Sequence, residues 1–438
     1  MGGGGKVLLM SERKLRARGG AAPAPKSAVR HDPVLLKKTG ATPEQRSGSH
    51  VASGSREGVS WRSFTGENGS TEHFFMIDAP AGVSFTAQLA ELQVRYAAAL
   101  KRCNLSAQTA VFRRIFLSDI LNQADTLCDS PLVEGIGENP VSTSIIQQLP
   151  LSGSKVALLA YHIESKTPIE KEFIGPRHLL IKKDGLRYLW SAGPWVDGKP
   201  TLPAPAAETR AVFDELIAVL GDQGATLEGN CVRTWLFIKD VDIFYQDMVT
   251  SRRELFDANG LTQQTHYIAS TGIEGTSADR FDTICMDALS LLDLKPEQVF
   301  YLNDLDRLCL TKDYGVTFER GTRIGFADRM HHYISGTASI DNRGNVLHLG
   351  DVLAQTEVAI ENVDALLKSG GASMDDMMYL IVYLRDPADF PSVSRFLRDT
   401  LPNLPFIVVQ GRVCRPEWLV EVEGIAVAPN RDPSLPSF

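Results

Sequence analysis

The sequence predicts an α+β protein built from three repeated units, each a sheet with two helices on one face. Three observations predict it. A run of helix, turn, hydrophobic strand, Asp and new helix occurs three times along the 438 residues. The last two runs follow matching strand segments, GLRYLWSAG (185–193) and RMHHYISGTAS (329–339), at nearly the same separation. The first and last runs are followed by similar candidate strand pairs, SIIQQLPLSGSKVALLAYHI and PFIVVQGRVCRPEWLVEVEGI. Self-similarity at such a period marks a repeat architecture. Each unit would bury the apolar face of its sheet under helices.

Taken in order, globular sequence opens near EHFFMIDAP. The first run is AQLAELQVRYAAALKRCNLSAQTAVFRRIFLSDILNQADTL (87–127), with Asp119 at its strand-to-helix step. The second has the helix AETRAVFDELIAVL, then GATLEGNCVRTWLFIKDVDIF from Gly224 with Asp240 and Phe244. The third has VLAQTEVAIENVDALLKS, then GASMDDMMYLIVYLRDPADF from Gly371 with Asp386 and Phe390. The helices place apolar residues at i, i+3, i+4 and i+7. The expected division is a basic extension at 1–70, units at about 71–165 and 166–311, a third unit at 312–430, and a tail at 431–438. Residues 1–70 are rich in Gly, Ser, Ala, Pro and Arg, lack lasting periodicity, and read as disordered.

Composition narrows the function classes. Hydrophobic residues make up 43% and charged residues 22%, as in ordinary globular proteins. Residues 1–70 hold 12 Lys and Arg against 5 Asp and Glu, which leaves 33 against 48, a net of −15, in the remainder. So acidic a body argues against nucleic acid as a partner. No apolar run reaches the length of a membrane span, VLLM is too short for a signal-peptide core, and Lys6 breaks a myristoylation motif. The six cysteines form no CxxC, and the histidines form neither HExxH nor zinc-finger spacing. A reducing cytoplasm, no metal and no cofactor are expected.

One stretch raises a chemical question. In VCRPEWLVEVEGIAV (413–427), Glu421 and Glu423 interrupt a strand of Val and Ile, and alternation puts both on one face. Burying an ionised carboxylate is costly unless it is paired or protonated. Either that face is solvated or it lines a site.

The third unit, with YISGTASID, the helix–strand–Asp run and LVEVEGIAV, resembles the RidA/YjgF family. Its members are α+β subunits that form a trimeric barrel with clefts between neighbours. Three such units in one chain imply a pseudo-trimeric barrel, and hence a monomer or weak oligomer. RidA-type imine deaminases hold the substrate carboxylate with an Arg on the strand before the LVEVE hairpin, where this chain has Ile407 or Val408. The combination YGVTFERGTRIGFADRMHHYISGTASID and VCRPEWLVEVEGIAV is similar to the FkbO-type chorismatases, which hydrolyse chorismate and release pyruvate. That resemblance implies Glu421 as the catalytic acid. It also implies that Cys414, and Ala327 before the Asp-Arg pair, help to set the product. In it Cys accompanies 3-hydroxybenzoate and Ala accompanies the non-aromatic dihydrodiol. The two markers therefore disagree, and Cys414 is taken to decide for 3-hydroxybenzoate.

The implied chemistry asks for particular groups. Enol-ether hydrolysis begins with protonation of the terminal CH2 carbon, which needs a carboxylic acid still protonated near neutral pH. Glu421 beside Trp418, Leu419 and Val420 meets that need, with Glu423 as its support. Two substrate carboxylates call for arginine clamps, for which Arg320 and Arg329 are candidates, with Arg412 and Arg415 as hairpin surface charges. Tyr314 either bonds a ring hydroxyl or packs in the core, and Cys414 either serves the site or is a small buried hydrophobe. The alternatives to a chorismatase are a RidA-type imine deaminase and a non-enzymatic RidA-like metabolite-binding protein.

Overall fold

The computed structural model describes residues 50–133, 139–193, 203–311 and 315–438. Periodicity becomes three sheets. The first has β1 (His50–Arg56), β2 (Val59–Thr65), β3 (Thr71–Asp78), β4 (Ala110–Leu117), β5 (Ser142–Gln147) and β6 (Val156–Glu164), with α1 (Phe85–Arg102) and α2 (Ile120–Cys128). The second has β7 (Glu170–Gly175), β8 (His178–Lys183), β9 (Leu186–Ser191), β10 (Cys231–Ile238), β11 (Ala269–Glu274) and β12 (Ile284–Leu291), with α3 (Pro205–Asp222), the single turn α4 (Leu227–Asn230) and α5 (Val241–Ala258). The third has β13 (Val299–Tyr301), β14 (Gly321–Gly325), β15 (Arg329–Ala338), β16 (Met377–Leu384), β17 (Phe406–Gln410) and β18 (Val420–Pro429), with α6 (Val352–Ser369) and α7 (Phe390–Thr400).

The strand orders are β1-β2-β3-β6-β4-β5, β7-β8-β9-β12-β10-β11 and β13-β14-β15-β18-β16-β17, one topology used three times. Alternation gives each central strand two jobs. Along β10, Leu236 and Ile238 pack outward with Phe213, Leu216 and Phe256 of the helices. Trp235 and Phe237 point the other way, into a core shared with Phe112 of the first unit and Tyr379 of the third. Single bridges stitch the sheets in a ring: Gln147 to Thr276, Ala269 to Glu319 and Pro150 to Val409. The molecule is a pseudo-trimer of α+β units.

Two expectations are corrected. Strands begin at His50, so residues 50–70 are not a disordered extension. Glu57 and Gly58, both at positive φ, make the two-residue turn between β1 and β2, and Arg62 of β2 donates to the carbonyl of Met377 at 2.5 Å. The expectation for residues 1–49 lies outside the described residues. The third sheet begins at Val299 rather than 312. The tail is packed, with Phe438 fully buried against Phe326, His331 and Tyr188.

Candidate active site

A cavity of about 380 Å³ opens between the second and third units. The third unit supplies Arg320, Gly336, Cys414, Trp418 and Glu421. The second supplies Tyr245, Arg252 and Arg253 from α5 and Ser270 and Gly272 from β11.

Glu421 stands on β18 between Ala338 of β15 and Tyr383 of β16. It is only 6% exposed, and among the described residues no group donates a hydrogen bond to its carboxyl. Burial, and then the negative charge of Glu423, push its pKa up to about 8 against the opposing pull of Arg233 and Arg320. Space for the carboxyl comes from Gly336. The β15–β18 register slips between Ile334 and Thr337, and a Cβ on Gly336 would lie 2.1 Å from Glu421 Oε1. Glu423, on the same face, is a different environment. It is 1% exposed and accepts from Arg233 at 2.6 Å, Tyr383 at 2.9 Å and Trp235 at 3.0 Å. The strand thus carries one paired carboxylate and one buried carboxyl whose surroundings favour its neutral form.

The loop between β17 and β18 brings Cys414, Arg415 and Trp418 to the cavity. Gln355 of α6 holds it by donating to the Glu417 carbonyl at 2.9 Å and accepting from the Leu419 amide at 2.9 Å. The Cys414 thiol is enclosed by protein and pushed up to about 12 by burial and by Glu421, with a hydrogen bond from Tyr245 opposing. It is therefore a neutral thiol in the cavity wall and not a thiolate nucleophile. Arg320, 5% exposed, is anchored on the Cys309 carbonyl at 3.1 Å. Arg252, 2% exposed, donates to Thr317 at 3.1 Å, and among the described residues no carboxylate meets it. Arg415 lies over the Trp418 ring at 4.8 Å.

Of the residues expected from the sequence, Glu421, Cys414 and Arg320 come together here, and Arg415 joins them. Arg329 and Ala327 do not. Arg329 is fully buried at the junction of the third and first units, ion-paired with Glu72 at 2.7 Å and Asp328 at 3.1 Å and stacked on Phe438 at 4.2 Å. With its charge consumed by two carboxylates it has none to offer a substrate. Ala327 pairs with the C-terminal segment, donating to the Pro436 carbonyl at 2.8 Å and accepting from Asp432 at 3.0 Å. Tyr314 lies outside the described residues. Arg412, expected as a surface charge, pairs with Glu274 of the second unit at 3.3 Å.

Sequence reasoning missed the wall contributed by the second unit. Arg252 was findable, since it stands four residues after Met248 and four before Phe256 on the buried stripe of α5. Gly336, a lone glycine inside a strand pattern, also carried a signal. Ile407 and Val408 stand on β17, whereas the strand of that kind facing this cavity is β11. Its register places Thr271 and Gly272 at the equivalent positions, and ASTGIE has no Arg at all. Three residues before Asp119, Asp240 and Asp386, the paired positions on β6, β12 and β18 are Ala157, Cys285 and Glu421. The acid is thus present in one of the three equivalent places. Among the described residues no His, Cys, Asp and Glu cluster fits a metal, and no helix is long and apolar enough to cross a membrane.

A model of the family described as endoribonuclease L-PSP matches residues 325–428, within the third unit. The 3-aminoacrylate deaminase RutC of Acinetobacter baylyi is 30% identical over 96 residues, 22% of this chain and 76% of that protein. The chain belongs to the RidA/L-PSP family. The resemblance read in the third unit is thereby a family membership, and the first two units extend the RidA/L-PSP fold. A crystal structure of chorismatase shares the arrangement across units, with a TM-score of 0.55 at 19% identity, covering 73% of this chain and 93% of that one. That likeness is one of fold.

Proposed function

We propose that this RidA/L-PSP chain is a chorismatase, which hydrolyses the enol ether of chorismate to pyruvate and a cyclic acid. The observation that carries the reading is Glu421, a buried carboxylic acid with a pKa raised to about 8 on the wall of a cavity that also carries Arg252, Arg253, Arg320 and Arg415. A protonated acid among cations suits a substrate with two carboxylates and a carbon to be protonated. A cavity of about 380 Å³ lies within the size range of small-ligand sites.

In this reading the Glu421 proton goes to the terminal CH2 carbon and forms a C–H bond as the C=C π bond is lost. Water adds to the oxocarbenium carbon and releases a proton. The hemiketal then breaks its C–O bond to the ring, giving pyruvate and a ring alcohol. Loss of water from the ring acid gives a hydroxybenzoate. Cys414 lines the cavity and Ala327 packs against the C-terminal segment, which supports 3-hydroxybenzoate as the cyclic product in this reading. No cofactor enters this chemistry. The chain acts as a monomer or weak oligomer, because its three units already provide the interface that holds the site.

A second reading, enamine or imine hydrolysis, is favoured by the RutC likeness, since an enamine also accepts a proton on carbon. The absence of Arg along β11 counts against it. Purified protein mixed with chorismate should release pyruvate, and chromatography should show 3-hydroxybenzoate. Ammonia from 2-iminobutyrate with no pyruvate from chorismate would replace the first reading with the second.

A further inference from the structure

Where the three units meet, four charges are buried together. Arg114 of the first unit donates to Asp287 of the second at 2.8 Å and lies 3.6 Å from Glu423 of the third. Arg233 of the second unit donates to Glu423 at 2.6 Å. Two cations and two anions leave the cluster neutral. Buried ion pairs of this kind often add little to stability over a well-packed apolar core, so their presence asks for another reason.

A polar path leads from the cluster to the cavity. Thr271 of β11 donates to Glu423, and its Oγ1 accepts from Arg233 at 2.6 Å and from the Gly336 amide at 2.9 Å. Gly336 is the residue against which the Glu421 carboxyl rests. Glu423 lies two residues from Glu421 on the same strand face. We propose that this junction cluster positions and tunes Glu421. Glu423 holds a negative charge beside the acid, Thr271 fixes the bulge that receives it, and Arg114 sets how much of that charge is felt. The first unit, which contributes no residue to the cavity, thereby acts on the reaction through Glu423. The proposal rests on Glu421 being the proton donor.

The charge near Glu421 makes the need concrete. Arg252 and Arg253 face the cavity from α5, Arg320 from the segment before β14 and Arg415 from the loop before β18, with Arg233 behind on β10. All five favour the ionised form. The neighbouring Cys414, Tyr245 and Tyr383 add no charge while protonated. Besides burial, Glu423 is the influence that keeps the proton on Glu421. Loss of its charge turns the cluster net positive, and loss of Arg114 turns it net negative.

The two changes should therefore move Glu421 in opposite directions. The carboxylic C=O stretch that disappears in Glu421→Gln can be titrated by infrared spectroscopy in substrate-free protein. Glu423→Gln should lower its midpoint by at least about one pH unit, and Arg114→Met should raise it. In turnover, Glu423→Gln should lose kcat at neutral pH, regain it in acid, and keep its KM. Thr271→Val should lower kcat and Thr271→Ser restore it, which tests the path even if a charge variant fails to fold. An unmoved midpoint in both charge variants, or shifts of the same sign, would overturn the proposal. Shifts as expected without pyruvate release would retain the device and sink the chorismatase reading.

Discussion

Glu421 and Glu423 show how one strand face makes two opposite environments. Glu423 is met by Arg233, Tyr383 and Trp235, whereas Glu421 meets a cavity and the space left by a glycine. The consequence for Glu421 is measurable. Glu421→Gln keeps the shape but has no proton to give, so turnover should fall by about 10²–10⁴-fold or more with the fold intact. Wild-type activity should persist below pH about 8 and fall above it as the acid ionises. Because the folded pKa is raised, the stability tied to this proton is fully present below the ordinary carboxylate pKa and is lost as pH rises towards about 8. Denaturation at several pH values should show Glu421→Gln equal to wild type near pH 4. The variant should gain on wild type by up to about 1.4 kcal/mol per pH unit through that window.

Among the elements, β15 does the most for the site. Its bulge at Gly336 opens room for the acid, and its first residue, Arg329, ties the third unit to the first. Gly336→Ala would place a methyl on the Glu421 carboxyl, and kcat should fall by about 10–100-fold as the proton donor is displaced. Arg329→Met should act differently. It takes one of the two partners from buried Glu72, which His331 and Arg329 together hold at about 2 although burial alone would raise it. Stability should drop by about 3–5 kcal/mol, read as a lower Tm, while kcat of the folded fraction stays near wild type. A kcat loss at unchanged stability would put Arg329 back among the substrate clamps. β1 has little apolar content in HVASGSR, and β2 spreads its three large apolar residues over both faces, Val59 and Trp61 on one and Phe64 on the other, so neither shows a clean alternation.

At the level of the molecule, three copies of one topology are pressed into different service. One cleft carries the acid; at the equivalent positions the other two have Ala157 and Cys285. With all three copies in one chain, light scattering at low concentration should report a monomer. A stable trimer would show that the interface between units is also made between chains. Deleting residues 1–70 removes β1, β2 and the Asn68 and Ser70 groups that bind Arg329, so that truncation should cost stability and turnover together.

The repeat, the helices and most strands were legible because period and composition are local properties that neighbouring residues impose on one another. That β18 carries two carboxylates on one face was legible for the same reason, while the choice of Glu421 between them came from the family resemblance. The rest depends on pairing across long separations. Arg252 and Glu421 are 169 positions apart and share a cavity because the sheets of two units close against each other. Ala327 and Arg329 lie within a matching motif, yet the packed C-terminal segment and Glu72 claim them. Which copy of a repeated strand faces a given cleft is set by how the units are packed in the ring, and spacing along the chain carries no record of that.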